Sequence, residues 1–248
     1  MKRQIDNDNA AASIADLMSA LMIIFLFISV SFMLQISKEK EQISNIAENY
    51  RIEKQNMTEI ASKFQITKYA IYQDLLKEFK NELTVWNAEI DRQTLSVRFK
   101  EPDIFFKTGD KQLNNNFKRI LDDFFPRYIK ILSQDKYKDE IEEIRIEGHT
   151  SSEWSEKSTP LESYFKNMAL SQARTRSVLE YVMSLSELRR HQEFLISKVT
   201  ANGLSYSQRI IKNGKEDFEQ SRRVEFRIRT TAEKHIEKIL LGGANETN

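Results

Sequence analysis

The chain has 248 residues and carries 38 Lys and Arg against 37 Asp and Glu, a balance that excludes nucleic-acid binding through bulk electrostatics. It has no cysteine, so disulfide frameworks and thiolate chemistry are out, and its three histidines (His149, His191, His235) lack the spacing of a metal site. With six glycines and three prolines there is no Gly-rich phosphate loop, and neither cofactor nor metal is expected.

Residues 1–14 form a short N-terminal segment with Lys2 and Arg3 near its start. From Leu17 to Leu34 no residue is charged and only Ser19, Ser29 and Ser31 are polar. As a helix this run spans about 27 Å, the thickness of a bilayer core. It exceeds the core of a signal peptide, follows Asp6 and Asp8, and lacks an Ala-x-Ala cleavage pattern, so residues 15–36 read as a retained transmembrane helix. The basic residues Lys2 and Arg3 before it and Lys38 and Lys40 after it leave the positive-inside rule silent on orientation. One carboxylate, Asp16, stands at the entrance. Ionisable groups at membrane depth mark ion paths or pairing sites; the plainer reading is a first-turn acid or helix cap at the interface.

Residues 37–85 change to a charged helical composition. Ile36, Ile43, Tyr50, Met57, Phe64 and Ile71 recur every seven residues, with Ile46 and Ile60 three positions on. This heptad predicts a parallel homodimeric coil running on from the membrane helix, weakened by Glu53 and Thr67 at partner positions. A single helix lying on a domain is the alternative.

A compact domain is expected over residues 90–232. Thr94–Phe99 alternates as a strand with Leu95, Val97 and Phe99 inward, Ile104–Phe106 follows, and Thr108-Gly109-Asp110 supplies a turn. Leu113–Leu132 is an amphipathic helix, Ile141–Glu147 a strand, Leu170–Leu185 a second helix, and Val199–Ala201 and Val224–Arg229 the last strands. The order predicts an α+β sandwich with helices on one face of a mixed sheet, followed by a C-terminal helix and tail over 233–248.

Three motifs stand in this domain: Gly148-His149-Thr150 after a strand, Asn167-Met168-Ala169-Leu170-Ser171-Gln172-Ala173-Arg174 on a helix, and Arg222-Arg223-Val224-Glu225 opening the last strand. In this order, across residues 93–230, they resemble the OmpA-like peptidoglycan-binding domain. The resemblance implies a pocket for the diaminopimelate carboxylates and amine of cell-wall stem peptides. Arg174 would pair with a carboxylate there, with Asn167, Leu170, Thr150 and Ser151 around it. Asn167 also suits a helix cap, and Arg222 and Arg223 suit either a ligand carboxylate or a structural salt bridge. Ser151 stands where the family has aspartate, so it offers an ammonium a hydrogen bond without ion pairing. The loop over 151–166, with Trp154, Pro160, Tyr164 and Phe165, is longer than the family's connection. His149 supports the strand end. No nucleophile–base pair is present, so no enzyme is expected.

Ile14-Ala15-Asp16-Leu17-Met18 before the apolar helix resembles the start of MotB-type stator subunits, and the whole plan of basic N-terminus, single span, helical linker and OmpA-like domain is similar to theirs. That resemblance implies that Asp16 carries a transported ion, H+ or Na+. It also implies a homodimer inside a ring of multi-span MotA- or ZorA-like subunits in the bacterial inner membrane, N-terminus cytoplasmic and C-terminal domain periplasmic. The heptad linker, Ser151 and the long loop are most similar to the ZorB subunits of Zorya anti-phage systems. A flagellar MotB and a passive peptidoglycan tether are the alternatives.

Overall fold

The computed structural model describes residues 2–100, 106, 112–154 and 158–234, with side chains from residue 14 onward. The expected turn at Thr108–Asp110, the first two residues of the Ile104–Phe106 strand and the tail beyond Lys234 lie outside the described residues. The chain divides into two units, Met1–Thr58 and Glu59–Asn248.

Helix α1 covers Lys2–Phe79 without a glycine or proline, which explains an unbroken run of 78 residues. In the first unit every side chain from Leu17 to Leu34 is exposed. A helix apolar on all sides with no protein cover needs an apolar solvent. Ser19 and Ser29 return their hydroxyls to the carbonyls of Ala15 and Phe25, each at 2.8 Å, which hides two polar groups that a bilayer would not solvate. Among the described residues this is the one helix long and apolar enough to cross a membrane. Beyond it Ile36, Ile43, Ile46 and Tyr50 are exposed, an uncovered apolar stripe at heptad spacing.

The second unit takes the last turns of α1 into its own core. Ile71, Leu75 and Phe79, one helix face at i, i+4 and i+8, are fully buried. Asp74 accepts from Lys136 (2.5 Å) and Tyr137 (2.8 Å), and Arg127 binds Glu78 (2.8 Å) and Glu82 (3.3 Å). The compact unit begins at Glu59, and Ile71 belongs to its core, so this half of the heptad stripe packs within its own chain.

Five strands, β1 (Ala88–Asp91), β2 (Ser96–Lys100), β3 (Ile141–His149), β4 (Val199–Gly203) and β7 (Arg223–Thr230), form a sheet in the order β1-β2-β7-β3-β4. All neighbours are antiparallel except β3 and β4, so the mixed α+β sandwich stands as read. One sheet face carries Val97, Phe99, Ile144, Ile146, Phe226 and Ile228, and α2 (Asn115–Leu132) presents Phe117, Leu121, Phe124 and Tyr128 to this core. Phe124 is its hub, with ring centroids of Phe79, Phe99, Phe226 and Tyr128 at 5.0–5.2 Å.

Helix α3 (Pro160–Met183) begins ten residues before the expected Leu170, because Thr159 and Glu162 close a capping box with Pro160 in the first turn. The second part of the expected long loop, from Pro160 on, is thus helix, and Asn167 lies inside it and caps nothing. A 3-10 turn (Ser186–His191), α4 (Gln192–Lys198), the hairpin β5 (Ile211–Lys212) and β6 (Lys215–Glu216), and α5 (Phe218–Ser221) complete the unit. Asn213 and Gly214 join the hairpin with φ of 51° and 76°, the left-handed pair of a type I′ turn.

Leu75→Ala is expected to destabilise the second unit by about 2–5 kcal/mol. In circular-dichroism melts a fragment starting at Glu59 should unfold cooperatively, and one starting at Ala88 should not.

Candidate functional site

Helix α3 changes character along its inner face. Val178 and Val182 are apolar, whereas Ser163, Asn167, Ser171 and Arg174 one to five turns earlier are polar and buried. Buried polar side chains cost free energy unless paired, so such a stripe at the end of a sheet marks a site. Two glycines allow the approach. A Cβ on Gly203 would stand 2.3 Å from the Gln172 backbone nitrogen, and one on Gly148 would stand 2.7 Å from Thr175 Cγ2.

The end of β3 meets this stripe through Ser205, which holds φ 52° while fully buried. Its N–H donates to Ser171 Oγ (3.0 Å), its hydroxyl donates to the Tyr164 carbonyl (2.9 Å), and its carbonyl accepts from the Thr150 N–H (2.9 Å). Thr150 Oγ1 is buried with no hydrogen-bond partner among the described residues, a polar atom waiting at the site. Arg174 is 6% exposed and lies over the Phe106 ring at 4.9 Å. Stacking occupies the face of a guanidinium and leaves its N–H edge to hydrogen bonding. Asn167 donates to the Glu153 carbonyl (3.5 Å) and Arg222 reaches the Glu153 carboxylate (3.3 Å), so both hold the loop after β3.

Thr150, Ser151, Asn167 and Arg174 are all buried where β3 ends against α3, and Leu170 is half-buried, off the polar stripe. Of the two readings open for Arg223, the contacts favour the structural salt bridge. It is buried, its Nε binds Glu225, and its Nη1 donates to the carbonyls of Gln208 (3.2 Å) and Ser221 (3.1 Å). Sequence reasoning missed Ser171, Ser205 and Phe106. Ser171 was legible from its place four after Asn167 and three before Arg174, one helical face; Ser205 and Phe106 carried no signal.

The sheet face opposite the core is ionic. Glu225 accepts from Arg98 (2.8 Å) as well as Arg223. Burial alone would raise the Glu225 carboxyl, but the two guanidiniums overcome it and hold it down at about 2. The His149 imidazole is pushed below its ordinary value, chiefly by burial. Glu147, His149 and Glu225 bring ligand atoms within 4.8 Å of one another, a grouping that spacing did not suggest and that is the right size for a cation. Two guanidiniums on Glu225 oppose a cation there, so the cluster reads as an ion-pair network.

A family model for the OmpA family matches residues 105–223. The chain is 45% identical over 240 residues to the Zorya protein ZorB of Escherichia coli, covering 96% of this chain and 95% of that protein. The chain belongs to the ZorB family. Among solved structures, this ZorB-family chain is similar to a MotB-like protein from Desulfovibrio vulgaris (18% identity, TM-score 0.48, 68% of this chain and 98% of that one). It is also similar to the cell wall anchor of the T6SS from Pseudomonas aeruginosa (17% identity, TM-score 0.43, 63% and 96%).

Both perturbed groups bind fewer protons folded than unfolded, so stability falls toward acid. His149 contributes fully above about 6.5 and loses its contribution as pH drops below that value; Glu225 contributes above about 4.5 and loses its contribution as pH falls toward 2. Denaturation midpoints of the purified chain should decline below pH about 6.5. His149→Asn should move the onset lower, and Glu225→Gln should cost about 3–5 kcal/mol at neutral pH by leaving the buried Arg223 guanidinium without its carboxylate, while Arg98 keeps Glu89.

Proposed function

We propose that this chain is the MotB-like subunit of a proton-driven rotary motor in the bacterial inner membrane, fixed to peptidoglycan by its α/β unit and acting with ZorA-like multi-span subunits in anti-phage defence. The observation that carries this reading is the relation to a ZorB over 96% of the chain, with a lone carboxylate, Asp16, at the mouth of its apolar helix.

In this reading α1 crosses the membrane once, with the N-terminus cytoplasmic and the α/β unit periplasmic. Two chains pair through the exposed stripe of Ile36, Ile43, Ile46 and Tyr50, which sets two copies of Asp16 within one ring of partner subunits. Asp16 binds and releases the conducted ion, and each charge that crosses yields about 2.3 kcal/mol per 100 mV. Arg174 pairs a stem-peptide carboxylate while Thr150, Ser151 and Asn167 meet its remaining polar groups. Held to the wall, the helices cannot turn, and the rotation falls to the partner ring. No step requires covalent chemistry, and the chain is not an enzyme in this account.

Asp16→Asn removes the charge and keeps the shape. Cells carrying it should lose phage protection to the level of cells without the system, while the variant still co-purifies with its multi-span partner. Full protection by Asp16→Asn would reduce the chain to a passive tether.

A further inference from the structure

A groove of about 630 Å³ adjoins the site and is not used by the stem-peptide contacts. Ser152, Glu153 and Trp154 form one wall, after β3, and Ser163, Tyr206 and Arg209 are among the residues opposite. Ser152 and Glu153 are fixed in place. Ser152 donates its N–H (3.0 Å) and its hydroxyl (2.6 Å) to the Glu216 carboxylate, and Asn167 and Arg222 hold Glu153 from the other side. Trp154, next to these two held residues, is nonetheless 44% exposed, a large flat apolar ring presented to solvent. The groove's charges are already matched, Glu153 by Arg222 (3.3 Å) and Arg209 by Glu216 (3.6 Å). What it offers a ligand is an aromatic plate, hydroxyls and planar polar groups, with little net charge.

That chemistry suits an uncharged molecule with one apolar face and a polar rim, which describes a pyranose ring. Its position argues for the same polymer as the site: Ser152 follows Ser151, and Ser163 lies one turn before Asn167 on α3. We propose that the groove is a saccharide subsite for the glycan strand of peptidoglycan, with Trp154 stacking on the C–H face of a sugar. The proposal rests on the wall-anchor reading and adds a second contact to it. A stem peptide at Arg174 and a sugar at Trp154 would hold the polymer at two points, and a bivalent grip resists torque better than one ion pair.

The test uses the full-length chain in detergent and two probes: glycan strands freed of peptide, and free stem peptide containing diaminopimelate. Trp86 is 7% exposed in the core, so a ligand-dependent change in tryptophan emission reports on Trp154. Glycan strands should shift the emission, Trp154→Ala should weaken their binding about tenfold, and Trp154→Phe should keep most of it. Stem-peptide affinity should be the same in all three. Glycan strands that leave the emission unchanged, or that bind Trp154→Ala as tightly as the native chain, would overturn the subsite and leave the anchor standing. Failure of the native chain to bind stem peptide would instead count against the anchor.

Discussion

Helix α3 lies so close to the parallel pair β3 and β4 that only glycine fits at 148 and 203. A methyl group at either position meets backbone or Thr175 at 2.3–2.7 Å, inside van der Waals contact, and would lift the helix from the sheet. This closeness lets Ser171 accept from the Ser205 N–H, and the Ser205 carbonyl in turn accepts from the Thr150 N–H. The site is therefore a product of packing. Its polar groups are recruited from a helix face, a strand end and a loop that separate if the two glycines are filled.

The second organising feature is one apolar stripe that is uncovered along one part and packed along another. Ile36, Ile43, Ile46 and Tyr50 are uncovered, while Ile71 closes the α/β core with Leu75 and Phe79. Heptad spacing and core-facing spacing coincide over two turns, so periodicity alone cannot tell a self-pairing seam from a domain-packing face. The same ambiguity covers the last turns of α1, which read as linker and are held by Arg127 and Lys136, far on in the chain.

What was legible follows the length over which each signal acts. The apolar run, the amphipathic α2 and the alternating strands show in the sequence because each pattern is local. So were Asn167 and Arg174, whose spacing of seven puts them on one helix face. Two local signals went unread: Thr159-Pro160 with Glu162 as a helix start, and Asn213-Gly214 as a hairpin turn. Long-range pairings were not available at all. Glu225 is fixed by Arg98, which lies 127 residues earlier, and Arg174 by a ring at Phe106. Nothing in the Arg222-Arg223 pair says that one holds the loop and the other is consumed by the sheet; strand alternation sends neighbours to opposite faces, and only the register decides which is which.

The central claim is that the α/β unit grips the cell wall through Arg174, and its most direct test is co-sedimentation of the purified chain with intact sacculi. Native chain should pellet and be displaced by free stem peptide containing diaminopimelate, while Arg174→Gln, checked by its melting curve to be folded, should stay in the supernatant. A folded Arg174→Gln chain that pellets like the native one would contradict the account.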